Sequence, residues 1–96
     1  MSVTHATIDE RLLRLVARCV VKIDADGRLL ERVRAAVQRQ PDARIRAEWE
    51  VLLAQSWPAL RERLLEQSER GESLRQNAPL GGVLTPAERM VIFRAS

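Results

Sequence analysis

The stretch Thr7-Ile8-Asp9-Glu10-Arg11-Leu12-Leu13-Arg14-Leu15-Val16-Ala17-Arg18-Cys19-Val20-Val21-Lys22-Ile23 decides the fold class. Ile8, Leu12, Leu15, Val16, Cys19, Val20 and Ile23 recur three and four positions apart, which places them on one apolar stripe of an α-helix. Thr7 and Glu10 have the spacing of a capping box, in which hydroxyl and carboxylate satisfy the unpaired N–H groups of the first turn. They predict a helix start at Thr7. Asp24-Ala25-Asp26-Gly27 reads as the break after this helix.

The pattern continues downstream. Asp26 is a good N-cap for a second helix that turns Leu29, Leu30, Val33, Ala36 and Val37 to one side. Pro41 disfavours helical geometry in the residue before it, so this helix ends near Gln40. The short link between the first two helices predicts an antiparallel hairpin. A third helix begins after Asp42, with Ile45, Trp49, Leu52 and Leu53 as its stripe. A fourth is capped by Ser56, carries Pro58 in its first turn and groups Trp57, Leu60, Leu64 and Leu65. Gly71 either ends that helix or sits inside a short fifth one. Asn77-Ala78-Pro79-Leu80-Gly81-Gly82 is a loop by its turn chemistry, with its glycines expected to supply positive φ. Thr85-Pro86-Ala87-Glu88 then opens a last helix through Arg94. Met90-Val91-Ile92-Phe93 is apolar all round, and periodicity alone leaves a short strand open there. The expectation is an all-α fold: a compact bundle of five to six short helices with an N-terminal antiparallel helical hairpin. It forms a single helical domain over 1–96, with residues 1–6 flexible.

Composition agrees. Hydrophobic residues make up 46% and charged residues 30% of the 96-residue chain, which suits a folded domain rather than a disordered one. Trp49, Trp57 and Phe93 are its aromatic residues, and a core of Leu, Val, Ala and Ile favours helices. No apolar run approaches the ~20 residues of a membrane span. Met1 to Ile8 lacks the basic and apolar regions of a signal peptide, so a cytoplasmic location is expected. Cys19 is the single cysteine, which excludes an internal disulfide and a multi-cysteine metal site.

Catalytic and cofactor motifs find little purchase. His5 is the only histidine and precedes the helical stripe. Cys19 lies on that stripe, where a thiol behaves as a small hydrophobe. Asp24-Ala25-Asp26-Gly27 resembles part of a calcium loop, but Lys22 and Val33 would stand where acids are needed. Gly81-Gly82 lacks the Gly-Lys-Ser/Thr ending of a phosphate loop. Trp49 and Trp57 share faces with core leucines, so core packing is preferred to base stacking. No enzyme, cofactor or metal site is expected.

Charge and apolar surface say more. Sixteen cations face thirteen carboxylates, for a net charge of +3. Arg11, Arg14, Arg18 and Lys22 fall within about a quarter of the helix circumference, with no carboxylate between Arg11 and Ile23. Arg28, Arg32 and Arg39 form a looser second stripe. Both suit an anionic partner, either an acidic protein surface or nucleic-acid phosphates; the plainer alternative is a pair of solvated faces. The C-terminal segment concentrates Leu80, Val83, Leu84, Met90, Val91, Ile92 and Phe93. It either closes the core or leaves an apolar patch for a partner.

The run Leu74-Arg75-Gln76-Asn77-Ala78-Pro79-Leu80-Gly81-Gly82-Val83-Leu84-Thr85-Pro86-Ala87-Glu88-Arg89 resembles the tail of short helical bacterial proteins found on mobile elements, some of them antitoxin-like. The resemblance implies a small cytoplasmic protein that neutralises or regulates another protein. Together these readings predict a non-catalytic protein-binding module. Its partner contacts would be Arg11, Arg14, Arg18, Lys22, Leu80, Val83, Leu84, Met90 and Phe93. A small nucleic-acid-binding regulator is the alternative, and spare apolar surface leaves homodimerisation open.

Overall fold

The computed structural model describes residues 5–94, with side chains from Asp9 onward. Six helices follow one another: α1 (His5–Ala25), α2 (Leu29–Gln38), α3 (Ala43–Leu53), α4 (Trp57–Leu64), α5 (Glu69–Gln76) and α6 (Pro86–Arg94). No strand occurs among the described residues, and Met90 to Phe93 are helical. The radius of gyration is 13.3 Å, close to the ~12.5 Å of a compact chain this long.

α1 is the axis of the bundle. Its stripe turns Val16, Cys19, Val20 and Ile23 inward, all of them buried, and it packs against α2, α4, α5 and α6. α3 closes the far side through contacts with α2 and α4, bringing Trp49 and Leu52 into the same buried cluster as Val33, Val37, Leu60, Leu64 and Leu74. Leu80, Val83 and Leu84, in the loop before α6, complete that cluster.

The helix boundaries follow the capping chemistry at three sites. Asp42 accepts hydrogen bonds from the Arg44 and Ile45 N–H groups at 2.9 and 3.3 Å, which starts α3. Ser56 accepts from the Ala59 N–H at 3.4 Å ahead of α4. At α6, the Thr85 N–H donates to Glu88 Oε1 at 2.9 Å and the Glu88 N–H donates to Thr85 Oγ1 at 3.2 Å, a complete capping box.

Three expectations are corrected. Helix α1 begins at His5, so Thr7 lies inside it and is not its N-cap; Ala6 is a strong helix former and the run simply continues through it. Residues 1–4 of the segment expected to be flexible lie outside the described residues, whereas His5 and Ala6 are helical. Helix α2 begins at Leu29 and not at Asp26. Asp26 instead folds the turn: its carboxylate accepts from the Arg28 N–H at 3.1 Å and from Arg28 Nε at 2.9 Å. The Leu29 and Leu30 N–H groups reach back three residues, to Asp26 and Gly27. Finally, no glycine has positive φ. Gly81 and Gly82 serve differently, because their carbonyls accept from Arg89 and Arg32 and a Cβ on Gly81 would lie 3.3 Å from Arg89 Nη2.

Gly71 sits inside α5, which is capped by Ser68, and lies close against the link from α4. A Cβ at Gly71 would lie 1.8 Å from the Glu66 carbonyl oxygen. One turn further on, Arg75, only 4% exposed, donates through Nη1 to the Leu64 and Glu66 carbonyls at 3.1 and 2.7 Å. A cation here satisfies carbonyls that the end of α4 leaves without helical partners, and it complements the helix dipole. Gly71→Ala is expected to destabilise the fold by at least ~2 kcal/mol in denaturant unfolding, because backbone must move to admit the methyl group. Gly27→Ala, with open space around the new methyl, should change stability by no more than about 1 kcal/mol and is as apt to raise it.

Candidate functional site

Within α6 the run Met90 to Phe93 is apolar on every side, so it has no single face to bury. The helix contributes no buried residue. Its start is held by polar contacts. Lys22 on α1 donates to Glu88 Oε1 at 2.7 Å and to the Val83 carbonyl at 2.9 Å, so the carboxylate that caps α6 also anchors it to α1. Arg89 donates to the Gly81 carbonyl. Ile92 packs against the core cluster. Near the other end, Phe93 joins Arg11, Leu12 and Leu15 around a shallow recess of about 220 Å³. The pairing of Lys22 with Glu88 and of Leu12 and Leu15 with Phe93 means that α6 runs back antiparallel along α1.

This arrangement leaves a mixed surface. Met90, Val91 and Phe93 are 50%, 68% and 53% exposed. Arg14 and Arg18 are exposed on α1, Arg94 on α6, and Arg11 is half-buried at the recess. The Arg11 Nε is buried without a hydrogen-bond partner. Exposed apolar residues of α6 thus share this side of the molecule with Arg11 and Arg94.

The expected contact residues divide by burial. Leu80, Val83 and Leu84 are 4%, 1% and 5% exposed, and they close the core. Met90 and Phe93 remain at the surface. Within the basic stripe, Lys22 is engaged by Glu88 and Val83, Arg11 lines the recess with Phe93, and Arg14 and Arg18 are exposed on α1. The second stripe is largely engaged within the chain: Arg28 pairs with Asp26 at 2.9 Å and Arg32 donates to the Gly82 carbonyl at 3.1 Å. Sequence reading placed Val91 in the apolar run without naming it as a contact; its exposure follows from the direction in which Lys22 and Ile92 turn α6.

The rest of the chemistry is structural. Asp24 accepts from the Trp57 indole N–H at 2.7 Å and from Arg61 Nε at 3.0 Å, and these donors hold its carboxyl below the usual range. Burial pushes the Cys19 thiol up to about 11, so it stays protonated and unreactive near neutral pH. Among the described residues, no three potential metal ligands converge, and no helix is long and apolar enough to cross a membrane. No protein-family profile, curated protein or solved structure matches the chain.

The anchoring carboxylate carries a pH signature. The Lys22 ammonium and then the Thr85 N–H lower Glu88 from 4.5 to about 2. A carboxyl lowered on folding contributes stability that is complete above its unfolded value and is lost as pH falls through its folded value. The window for Glu88 therefore runs from 4.5 down to about 2. A carbon-detected NMR titration should place the Glu88 midpoint near 2, and Lys22→Met should move it up. A midpoint near 4.5 in the unmodified protein would mean that the anchor does not form.

Proposed function

We propose that the chain is a non-catalytic protein-binding module whose α1–α6 face takes an acidic, amphipathic segment of another protein. The observation that carries this reading is α6 itself: a helix with Met90, Val91 and Phe93 half or more exposed, anchored at its start by polar contacts and packed on the core through Ile92, with no fully buried residue. Exposed contiguous apolar surface of this kind marks interaction sites. The partner's apolar side chains would meet Met90, Val91 and Phe93, and its carboxylates would meet Arg11, Arg14, Arg18 and Arg94. Such complementarity favours encounter and fixes orientation. A second copy fits less well, because its own guanidinium groups would be brought near these.

In the same reading α1 and α2 pair as an antiparallel hairpin, which presents the basic side of α1 on a rigid support. The likeness of Leu74 to Arg89 to antitoxin-like proteins of mobile elements points in the same direction, toward neutralising or regulating the partner. The nucleic-acid alternative has less support. Lys22, Arg28 and Arg32 direct their charge to partners inside the chain instead of leaving it for phosphates.

A photo-crosslinking residue at position 91, with position 47 on the exposed side of α3 as the control, tests the face in the producing cell. Position 91 should capture a protein that position 47 does not. With that protein purified, the triple substitution Met90→Ser, Val91→Ser, Phe93→Ser should weaken binding at least ~30-fold, since anchors of this kind are worth about 1–2 kcal/mol each. Its unfolding midpoint should change little. Crosslinks only to nucleic acid or to another copy of the chain, or binding unaffected by the triple substitution, would contradict the proposal.

A further inference from the structure

A second feature lies away from α1 and α6. The exposed side of α3 and the adjoining parts of α4 and α5 enclose a cleft of about 420 Å³. Clefts of roughly 300–1,000 Å³ are the usual size for small-molecule sites. Its floor is apolar: Leu52 and Leu74 are buried, and Val51, 65% exposed, forms one wall. On α3 the lining residues Glu48, Val51 and Leu52 are spaced i, i+3 and i+4, so one stripe faces the cleft, and Gln55 just beyond the helix extends it. Gly71 sets its shape from the other side by letting α5 lie close against the Glu66 carbonyl.

Arg63 and Arg70 also line this cleft. They differ from the seven arginines that are engaged within the fold. Arg28, Arg34 and Arg61 pair with carboxylates; Arg32, Arg46, Arg75 and Arg89 donate to backbone carbonyls. Arg63 and Arg70 form no ion pair among the described residues, although Glu48 and Glu66 line the same cleft. Glu66 instead accepts from the Ser68 hydroxyl, and Glu48 lies at the exposed edge of α3. Two forked donors thus sit over an apolar floor without an acceptor. Carboxylates are the natural complement of a guanidinium fork, which they meet through two parallel hydrogen bonds.

We infer that the cleft between α3, α4 and α5 binds a small organic acid with an apolar body, its carboxylate held by Arg63 and Arg70 and its hydrocarbon laid on Val51, Leu52 and Leu74. The volume admits on the order of a dozen non-hydrogen atoms at ~30 Å³ each, the size of a medium-chain carboxylic acid. Nothing in this inference depends on the α1–α6 face, and none of the lining residues belongs to it.

Titration of the full chain with octanoate, followed by amide NMR, tests the site. Shifts should concentrate at Val51, Leu52, Gly71 and Leu74, with a Kd on the order of 0.1–1 mM for a ligand of this size. The double substitution Arg63→Gln, Arg70→Gln should weaken octanoate binding at least ten-fold at an unchanged unfolding midpoint. Octanol and octylamine, which share the hydrocarbon but not the anion, should bind at least ten-fold more weakly than octanoate. The inference is overturned by octylamine or octanol binding as tightly as octanoate, by an unaffected double variant, by shifts confined to α6, or by no shift at about 10 mM ligand.

Discussion

The inward stripe of α1 is the constraint on which the rest of the structure depends. Helices of eight to eleven residues, the lengths of α2 through α6, are marginal alone because nucleation costs more than so few hydrogen bonds return. Each must bury apolar surface against something already long enough to hold its shape. With 21 residues, α1 supplies that surface. Val16, Cys19, Val20 and Ile23 lie in a dry interior, where full burial of an aliphatic side chain stabilises by about 1.5–3 kcal/mol. Four of the other five helices meet α1 directly, so a fault in its stripe would reach nearly every packing contact.

Around this apolar axis, cations do the joining. Arg75 holds the end of α4, Arg46 donates to the Gln40 carbonyl between α2 and α3, and Arg32, Arg89 and Lys22 hold the loop before α6 through the carbonyls of Gly82, Gly81 and Val83. Short helices joined by tight turns leave many carbonyls without helical partners. A long side chain with several donors is a ready way to satisfy them, and the planar guanidinium loses less freedom per hydrogen bond than an ammonium does. Four of the chain's fifteen arginines, Arg32, Arg46, Arg75 and Arg89, are explained this way. It also separates the cations engaged with carbonyls from Arg63 and Arg70 at the α3–α5 cleft.

The fold was legible where the signal is local. The α1 stripe from Leu12 to Ile23, the Asp42 and Ser56 caps and the Thr85–Glu88 box each act within a few residues, and each stands in the structure as the sequence implied; the Ile8 side chain lies outside the described residues. The start of α2 was misread because Asp26 can serve either as a helix cap or as the acceptor of a turn, and only the Arg28 side chain decides between them. Gly71 was ambiguous for a different reason. Its need to be glycine comes from the Glu66 carbonyl, which the α4–α5 link folds back against it, and side-chain periodicity does not record that. The same holds for the surface. That Leu80, Val83 and Leu84 go inward while Met90, Val91 and Phe93 stay outside follows from the long-range tie between Lys22 and Glu88. Arg63 and Arg70 attract no notice in a linear reading, since their common feature is a cleft assembled from three helices.

Native-state hydrogen exchange tests the central claim most directly. If α1 is the axis on which the other helices fold, the amides from Val16 to Ile23 exchange only through global unfolding, with opening free energies equal to the stability found by denaturant. Amides of α6 then exchange through a smaller, local opening, because that helix is anchored by polar contacts at its start. Slowest exchange in α3 or α4, with α1 opening at lower free energy, would contradict the account.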